Sequence, residues 1–471
     1  MSGNCRGIVV AGLSGGSGKS VAAVGLTAYL RGAGLRVVPF KKGPDYIDAG
    51  WLGRAAQHPC YNLDPFLMTP EAICSSFGRH AAGADVALVE GNRGLYDGVD
   101  AGGAFSTAEL AVQLGLPVLL VVNCSKATRT VAAMVLGCRE FDHRLRIAGV
   151  ILNHIATARQ ERVIREAVER YTSIPVAGVL PRQGRDIFPM RHLGITPHQE
   201  AESVQLAIER LAGIVAEHFD TVMIRGLLAP VEVPAFPGAS GGHAQRVAIG
   251  VLRDRAFQFY YEENLEALRA AGADLVMIDA LSASALPEGL DGLYIGGGFP
   301  ETSARELAAN SGFRASVCSA AEQGLPIYAE CGGLIFLGRS IVLEGAEYPL
   351  AGVFPVTFGM GKKPQAHGYS IFTADRDNPY YSPGTTIKGH EFRYSTVLQW
   401  DGKAEDLALR MERGTGFMGG RDGLVRNNVL ALYTHVLAPG SPEWTEGIAA
   451  AARRYRAGKG NPVSGFRPSG S

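Results

Sequence analysis

An apolar run, Ile8-Val9-Val10-Ala11, enters the loop Gly12-Leu13-Ser14-Gly15-Gly16-Ser17-Gly18-Lys19-Ser20 and leaves it through a segment from Ser20 to Leu30 with helical spacing. A strand, a tight glycine-rich loop and a helix in this order leave few folds open. Backbone N–H groups of the loop and of the first helical turn converge on one place, where they can surround phosphate oxygens. Gly15, Gly16 and Gly18 let the backbone close around an anion, Lys19 offsets its charge, and the Ser20 hydroxyl is a candidate Mg²⁺ ligand. The spacing departs from the standard phosphate loop, because five residues separate Gly12 from Gly18 and Leu13 stands where four would place a glycine. The alternative is a glycine-rich turn with an incidental lysine; the strand before and helix after favour nucleotide binding.

Further short apolar runs follow at Arg36 to Phe40, Val86 to Glu90, Val118 to Asn123, Ile147 to Asn153 and Pro175 to Leu180, each followed by a loop or helical stretch. That alternation predicts a mainly parallel, doubly wound sheet. Between Gly226 and Arg246 no period of 2 or 3.6 persists; Pro230, Pro234, Pro237 and Gly238-Ala239-Ser240-Gly241-Gly242 read as a linker. Strand signals resume at Val247 to Leu252, Leu275 to Ile278, Gly292 to Ile295 and Pro326 to Ala329, predicting a second α/β domain. The expected division is a first domain over 1–226, a linker over 227–246, a second domain over 247–457 and a frayed tail over 458–471.

Lys plus Arg and Asp plus Glu each total 45, so no global field recruits nucleic acid or an anionic membrane, and an acidic substrate must be met by local positive charge. Seven scattered cysteines without a compact framework suit a reducing compartment. Met1 to Cys5 shows no leader pattern and Pro117 to Val122 is strand-sized, so a cytoplasmic location is expected.

Asp45, in Lys41-Lys42-Gly43-Pro44-Asp45-Tyr46-Ile47-Asp48, and Glu90, in Val89-Glu90-Gly91-Asn92-Arg93-Gly94, stand at predicted strand ends. The carboxyl ends of strands in a doubly wound sheet converge on the edge where the phosphate loop opens, so both are candidate Mg²⁺ ligands with Ser20. Each alone reads equally as a loop carboxylate or helix cap. Lys41 and Lys42 are candidates to hold phosphate or substrate carboxylates, against a solvated basic pair.

In Leu325-Pro326-Ile327-Tyr328-Ala329-Glu330-Cys331-Gly332-Gly333-Leu334-Ile335 a cysteine falls between a strand and a helix among small residues that permit a sharp turn. Such an elbow exposes the sulfur and aims a helix N-terminus at it, which favours the thiolate. A buried structural cysteine is the alternative. Two features oppose it: the turn Ile295-Gly296-Gly297-Gly298-Phe299-Pro300-Glu301, able to present N–H groups to an oxyanion, and Tyr433-Thr434-His435, with His435 as candidate base.

The order of these motifs is similar to that of the cobyrinic acid a,c-diamide synthases, and the likeness covers nearly the whole chain. It is carried by Lys42-Gly43-Pro44-Asp45-Tyr46-Ile47-Asp48, Glu90-Gly91-Asn92-Arg93-Gly94-Leu95-Tyr96-Asp97-Gly98, Ile295 to Glu301, and Gly389-His390-Glu391-Phe392-Arg393-Tyr394-Ser395. The resemblance implies an N-terminal domain of P-loop NTPase type, similar to dethiobiotin synthetase with its longer loop, and a C-terminal class I glutamine amidotransferase domain. It maps Ser20, Asp45 and Glu90 onto Mg²⁺ ligands and Cys331 and His435 onto the glutaminase nucleophile and base, while His390, Glu391 and Tyr394 receive no separate roles. The implied reaction is ATP- and glutamine-dependent amidation of the a and c acetates of cobyrinate or hydrogenobyrinate through acyl phosphates, with ATP and Mg²⁺ as cofactors and a homodimer left open.

Three positions depart from the pattern. Leu437 stands two residues after His435, where class I glutaminases carry a glutamate; Arg393 stands where histidine is expected; and Val436-Leu437-Ala438 replaces a more polar ending. Arg393 reads either as a partner for a substrate carboxylate or as a surface substitution. Related readings are the same chemistry on sirohaem or nickel-sirohydrochlorin, and cobyric acid synthase, which the Gly-Pro-Asp-Tyr-Ile-Asp segment opposes. A non-enzymatic reading makes the phosphate loop a nucleotide switch beside a degenerate binding module.

Overall fold

The computed structural model describes residues 5–182, 199–232 and 246–459, and the chain divides into two compact units, Met1–Pro237 and Gly238–Ser471. Among the described residues no helix is long and apolar enough to cross a membrane.

The first unit is built on β1 (Arg6–Gly12), β2 (Val37–Lys42), β3 (Tyr61–Leu63), β4 (Val86–Gly94), β5 (Val118–Asn123), β6 (Ile147–Ile155) and β7 (Val176–Pro181), which pair in the order β3-β2-β4-β1-β5-β6-β7. All these pairings are parallel. Helices cover both faces of such a sheet, which is why β1, β4 and β5 are runs of buried apolar residues rather than alternating ones. The strand order reverses at β1, flanked by β4 and β5, so a crevice opens at its carboxyl end. The helix α1 (Lys19–Gly32) starts there. Of the expected linker, β8 (Ala229–Pro230) pairs antiparallel with β1, while 233–245 lie outside the described residues.

The second unit opens with four parallel strands, β9 (Val247–Leu252), β10 (Ala273–Ile278), β11 (Gly292–Ile295) and β12 (Ile327–Glu330), at the positions the apolar runs predict. Ten further strands follow: β13 (Ser340–Leu343), β14 (Ala346–Pro349), β15 (Val356–Met360), β16 (Ala366–Ala374), β17 (Thr386–Arg393), β18 (Ser395–Trp400), β19 (Leu407–Arg413), β20 (Arg421–Arg426), β21 (Val429–Leu432) and β22 (His435–Val436). One sheet runs β10-β9-β11-β12-β21-β20-β19-β16-β17-β22; β14-β13-β15-β18 form a second. Most of the later strands pair antiparallel, and the β13–β14 hairpin turns at Glu344 (φ 50°) and Gly345 (φ 82°), the positive-φ pair that suits a two-residue turn. The sequence reading expects alternating helices and strands here. It misses this part because strands such as β17 mix buried and exposed residues without a continuous apolar run.

The helix Pro442–Lys459 extends to the edge of the described residues, into the first positions of the expected tail; 460–471 lie outside them. Its Trp444 is fully buried, edge-on to Tyr294 and Tyr328 with ring centroids 5.2 and 5.9 Å away. Trp444→Ala is expected to destabilise the second unit by about 3–5 kcal/mol, measured by denaturant unfolding.

Candidate active site

The phosphate loop is held from within and from behind. Ser17 Oγ donates to the Ser14 carbonyl at 2.5 Å and accepts from the Ser14 N–H at 2.9 Å, closing a turn. Asn153, near the end of β6, donates its amide to the Ser17 carbonyl at 2.7 Å. Gly18 (φ +91°) sits against that amide: a Cβ there would lie 2.1 Å from Asn153 Nδ2. Sequence reasoning did not single out Asn153, whose only signal was its place at the end of a predicted strand. Cβ atoms at Gly15 and Gly16 would meet nothing within 4 Å.

Where α1 begins, five side chains converge. Ser20 Oγ donates to Glu90 Oε1 at 2.6 Å, with Asp48 Oδ2 3.4 Å away. Lys19 Nζ lies 3.7 Å from Glu90 Oε1. Lys41 Nζ lies 3.4 Å from Asp48 Oδ2 and 3.7 Å from Glu90 Oε1, and donates to the Gly91 carbonyl at 2.7 Å. Burial first, then the Asp48 charge, pushes Glu90 up to about 7, against the pull of Lys41, Lys19 and Ser20. Burial opposes the Asp48 charge, yet Lys41 and Lys19 hold this carboxylate below its ordinary range.

The candidates are therefore not equivalent. Asp45 Oδ1 accepts the Asp48 N–H at 2.8 Å at the start of α2 (Ile47–Ala56), so it serves as a helix cap, while Asp48, one turn on, faces Ser20 and Lys41. Asp48 lies inside the quoted motif but was not chosen as a ligand. The two lysines are not a solvated pair: both are buried, and strand alternation separates them. Lys41 joins the carboxylates; Lys42 is drawn below its usual value mainly by burial, with Asp64 its countercharge.

In the second unit Cys331 links β12 to the helix Gly332–Leu337 with φ 46° and ψ −96°, a conformation rare outside glycine. Its N–H donates to the Leu432 carbonyl at 2.8 Å, which ties the elbow to β21. The sulfur lies 3.9 Å from the Phe392 carbonyl. His435, brought by β22, is fully buried and faces Cys331. Burial works against a charged ring, but Cys331 and Glu330 override it and push His435 up to about 10. A Cβ on Gly297 would lie 2.4 Å from His435 Cε1, so the glycine turn passes directly against the imidazole. A Cβ on Gly332 would lie 2.9 Å from the Gly298 nitrogen, which places these two backbone segments side by side, as an oxyanion site requires.

Around this pair the late motif divides its work. His390 stacks on His435 with ring centroids 4.9 Å apart, and Tyr261 Oη lies 3.1 Å from its Nδ1; burial, then His435 and His367, hold His390 neutral. Glu391 accepts from the Gly416 and Thr415 N–H groups. Tyr394 is partly exposed, its ring edge-on to Phe392. Arg393 is no surface substitution: it is buried, donates to the Ser395 and Gly416 carbonyls at 2.6 and 2.8 Å, and lies 3.9 Å over the Tyr433 ring. Those contacts use its fork within the unit.

Two carboxylates near His435 escaped sequence reasoning. Asp422 accepts from the Tyr433 and Thr434 N–H groups, fixing the backbone just before the histidine; burial, then Glu391, pushes it up to about 7. Glu330 Oε2 lies 3.6 Å from His435 Nδ1. Leu437, at the usual glutamate position, is buried.

Comparison with known proteins matches residues 8–192 to the CobQ/CobB/MinD/ParA nucleotide binding domain family and residues 248–442 to the CobB/CobQ-like glutamine amidotransferase domain family. Among full-length relatives, the cobyrinate a,c-diamide synthase of Magnetococcus marinus is 42% identical over 441 residues, covering 92% of this chain and 94% of that protein. The protein of the same name from Archaeoglobus fulgidus is 39% identical, covering 91% and 93%, and that from Dehalococcoides mccartyi strain 195 is 38% identical, covering 96% and 99%.

The contact between Gly297 and the imidazole generates a test. Gly297→Ala is expected to displace His435 and slow iodoacetamide alkylation of Cys331 at neutral pH by about tenfold, with an unchanged far-ultraviolet spectrum.

Proposed function

The chain belongs to the cobyrinate a,c-diamide synthase family, and we propose that it amidates the a and c acetate side chains of cobyrinate or hydrogenobyrinate. It is an ATP- and glutamine-dependent, amide-forming ligase of cobalamin biosynthesis. The observation that carries the site assignment is Cys331 on a strained elbow beside the glycine turn that runs against His435, in a chain whose phosphate loop gathers Lys19, Ser20, Lys41 and Glu90. Relatives matched along nearly their whole length favour this substrate over the sirohaem and cobyric acid readings, and an amide-forming enzyme leaves no place for a nucleotide switch with a degenerate module.

In the glutaminase half, Cys331 attacks the glutamine side-chain amide carbon while His435 takes the thiol proton and passes it to the departing ammonia. The backbone at Gly298 and Gly332 receives the developing oxyanion, and water hydrolyses the thioester to glutamate. In the ATP half, a substrate carboxylate oxygen accepts the γ-phosphoryl group, converting a poor leaving group into phosphate. Ammonia then attacks the acyl carbon and phosphate departs. Lys19 and Lys41 offset the charge gathered on the transferring oxygens.

The oxygen-rich cluster fits a hard dication. Glu90 Oε2 is buried with no hydrogen-bond partner, and the two carboxylates Glu90 and Asp48 repel each other in a buried setting. Ser20 and Glu90 would hold Mg²⁺ with Asp48 as the nearer second carboxylate, Asp45 standing behind it as the cap. Bound Mg²⁺ would neutralise charge on the ATP phosphates.

Two measurements test the reading. Cys331→Ser is expected to lower glutamine-driven amidation by more than about 10³-fold while ammonium salts still support product, whereas undiminished glutamine-driven turnover would remove the nucleophile. A mass assay with several tetrapyrroles is expected to show a loss of about one mass unit for each carboxylate amidated, twice for cobyrinate or hydrogenobyrinate. No product from either macrocycle would overturn the substrate assignment.

A further inference from the structure

Class I glutaminases place the carboxylate that orients the catalytic histidine two residues after it, and Leu437 occupies that position here. A histidine that must take a proton from a thiol still needs one ring nitrogen fixed, or it samples the wrong tautomer and rotamer. The structure offers one group for that task, from a different place in the chain.

Glu330 is the last residue of β12 and immediately precedes the nucleophile. Its side chain is fully buried. Oε2 lies 3.6 Å from His435 Nδ1 and accepts the Tyr294 hydroxyl at 3.2 Å; Oε1 accepts the Val436 N–H at 3.3 Å. Both oxygens are thus occupied by groups that hold the carboxylate still, and one of those groups belongs to the residue following His435. With Nδ1 turned toward Glu330, Nε2 is the ring nitrogen left to exchange a proton with the thiol. The other titratable groups facing Glu330 are tyrosines, Tyr260, Tyr294, Tyr328 and Tyr381, each pushed above ready ionisation mainly by desolvation. No cation other than His435 faces this carboxylate among the contacts given for the described residues. A buried carboxylate whose only available countercharge is one imidazole is costly unless that ring is charged for part of the cycle.

We propose that Glu330 is the positioning residue of the glutaminase centre, taking the role of the missing carboxylate after the histidine and favouring proton transfer from Cys331 to His435. The proposal rests on the assignment of Cys331 and His435 as nucleophile and base. The geometry is attainable because β12 pairs with β21, Glu330 standing opposite Leu432 three residues before His435: the strand that delivers the nucleophile also carries, one residue earlier, the group that holds its base. An acid two residues beyond His435 is then unnecessary, and Leu437 is free to pack.

A purely structural Glu330 would serve only to accept from Val436 and Tyr294, and glutamine at this position keeps a side-chain acceptor while losing the charge. Glu330→Gln is therefore expected to lower kcat for glutamine hydrolysis by about 10²–10⁴-fold with KM little changed. The pH midpoint of Cys331 alkylation is expected to rise by about one unit, because the imidazolium loses its countercharge. Glu330→Asp, which restores the charge on a shorter arm, is expected to recover part of the midpoint shift. Wild-type kcat and midpoint in Glu330→Gln would overturn the proposal. If that variant does not fold, Glu330→Asp decides alone: a raised midpoint with reduced kcat supports it, and unchanged values overturn it. Full glutamine-driven turnover in Cys331→Ser or His435→Ala would instead remove the underlying assignment, whatever Glu330 does.

Discussion

Close approach at the carboxyl ends of strands, permitted where a Cβ is missing, is the constraint on which both sites depend. At Gly18 the loop backbone lies so near the Asn153 amide that any side chain would collide with it, and that amide holds the Ser17 carbonyl. At Gly297 the turn after β11 runs against the edge of His435. In each unit a parallel strand brings the backbone to the carboxyl edge of the sheet, where glycine lets it pass a neighbouring side chain closely; α1 begins directly after Gly18, and the helix Gly332–Leu337 directly after the Cys331 elbow that follows the next strand, β12. Lys19 and Ser20 open that helix in one unit, and Cys331 sits on the elbow before it in the other.

Buried charge does the second part of the work, and the units arrange it differently. The ATP site sets two lysines against two carboxylates around Ser20, leaving one Glu90 oxygen without a hydrogen-bond partner. The glutaminase site sets one imidazole between a thiol and a carboxylate, with a second, neutral imidazole stacked on it and a buried aspartate bracing the backbone. Low dielectric strengthens these interactions and makes any unpaired member costly, so the surrounding hydrogen bonds to Gly91, Val436 and Tyr294 are part of each site.

Several elements were legible because their signals are local. Strands β1, β4, β5, β6 and β7 are continuous apolar runs, as strands buried on both faces must be, and β9, β11 and β12 follow the same rule. The short strand β3 and the antiparallel half of the second unit were not, because three residues carry no period and one-sided strands interrupted by bulges show no unbroken run. Among site residues, Lys19, Ser20 and Glu90 meet as their motifs suggest. Asp45 is the ligand the sequence reading chooses, with Asp48 only part of the quoted motif; which one caps the helix and which faces the lysine depends on the direction of α2. Arg393 read as a substrate partner or a surface residue, yet its fork closes on two carbonyls and an aromatic ring that are 2, 23 and 40 positions away in the chain.

By itself the sequence determined the presence of a phosphate loop, a cysteine elbow and a late histidine, because each is a short motif whose backbone geometry follows from neighbouring residues. It also determined that an acid is absent two residues after His435. Only the tertiary structure decided where the replacement carboxylate comes from. Glu330 ends β12 and His435 follows β21, the strand paired with β12, after more than a hundred residues of intervening chain, and the distance of 3.6 Å between the two side chains depends on that pairing, which no local pattern encodes.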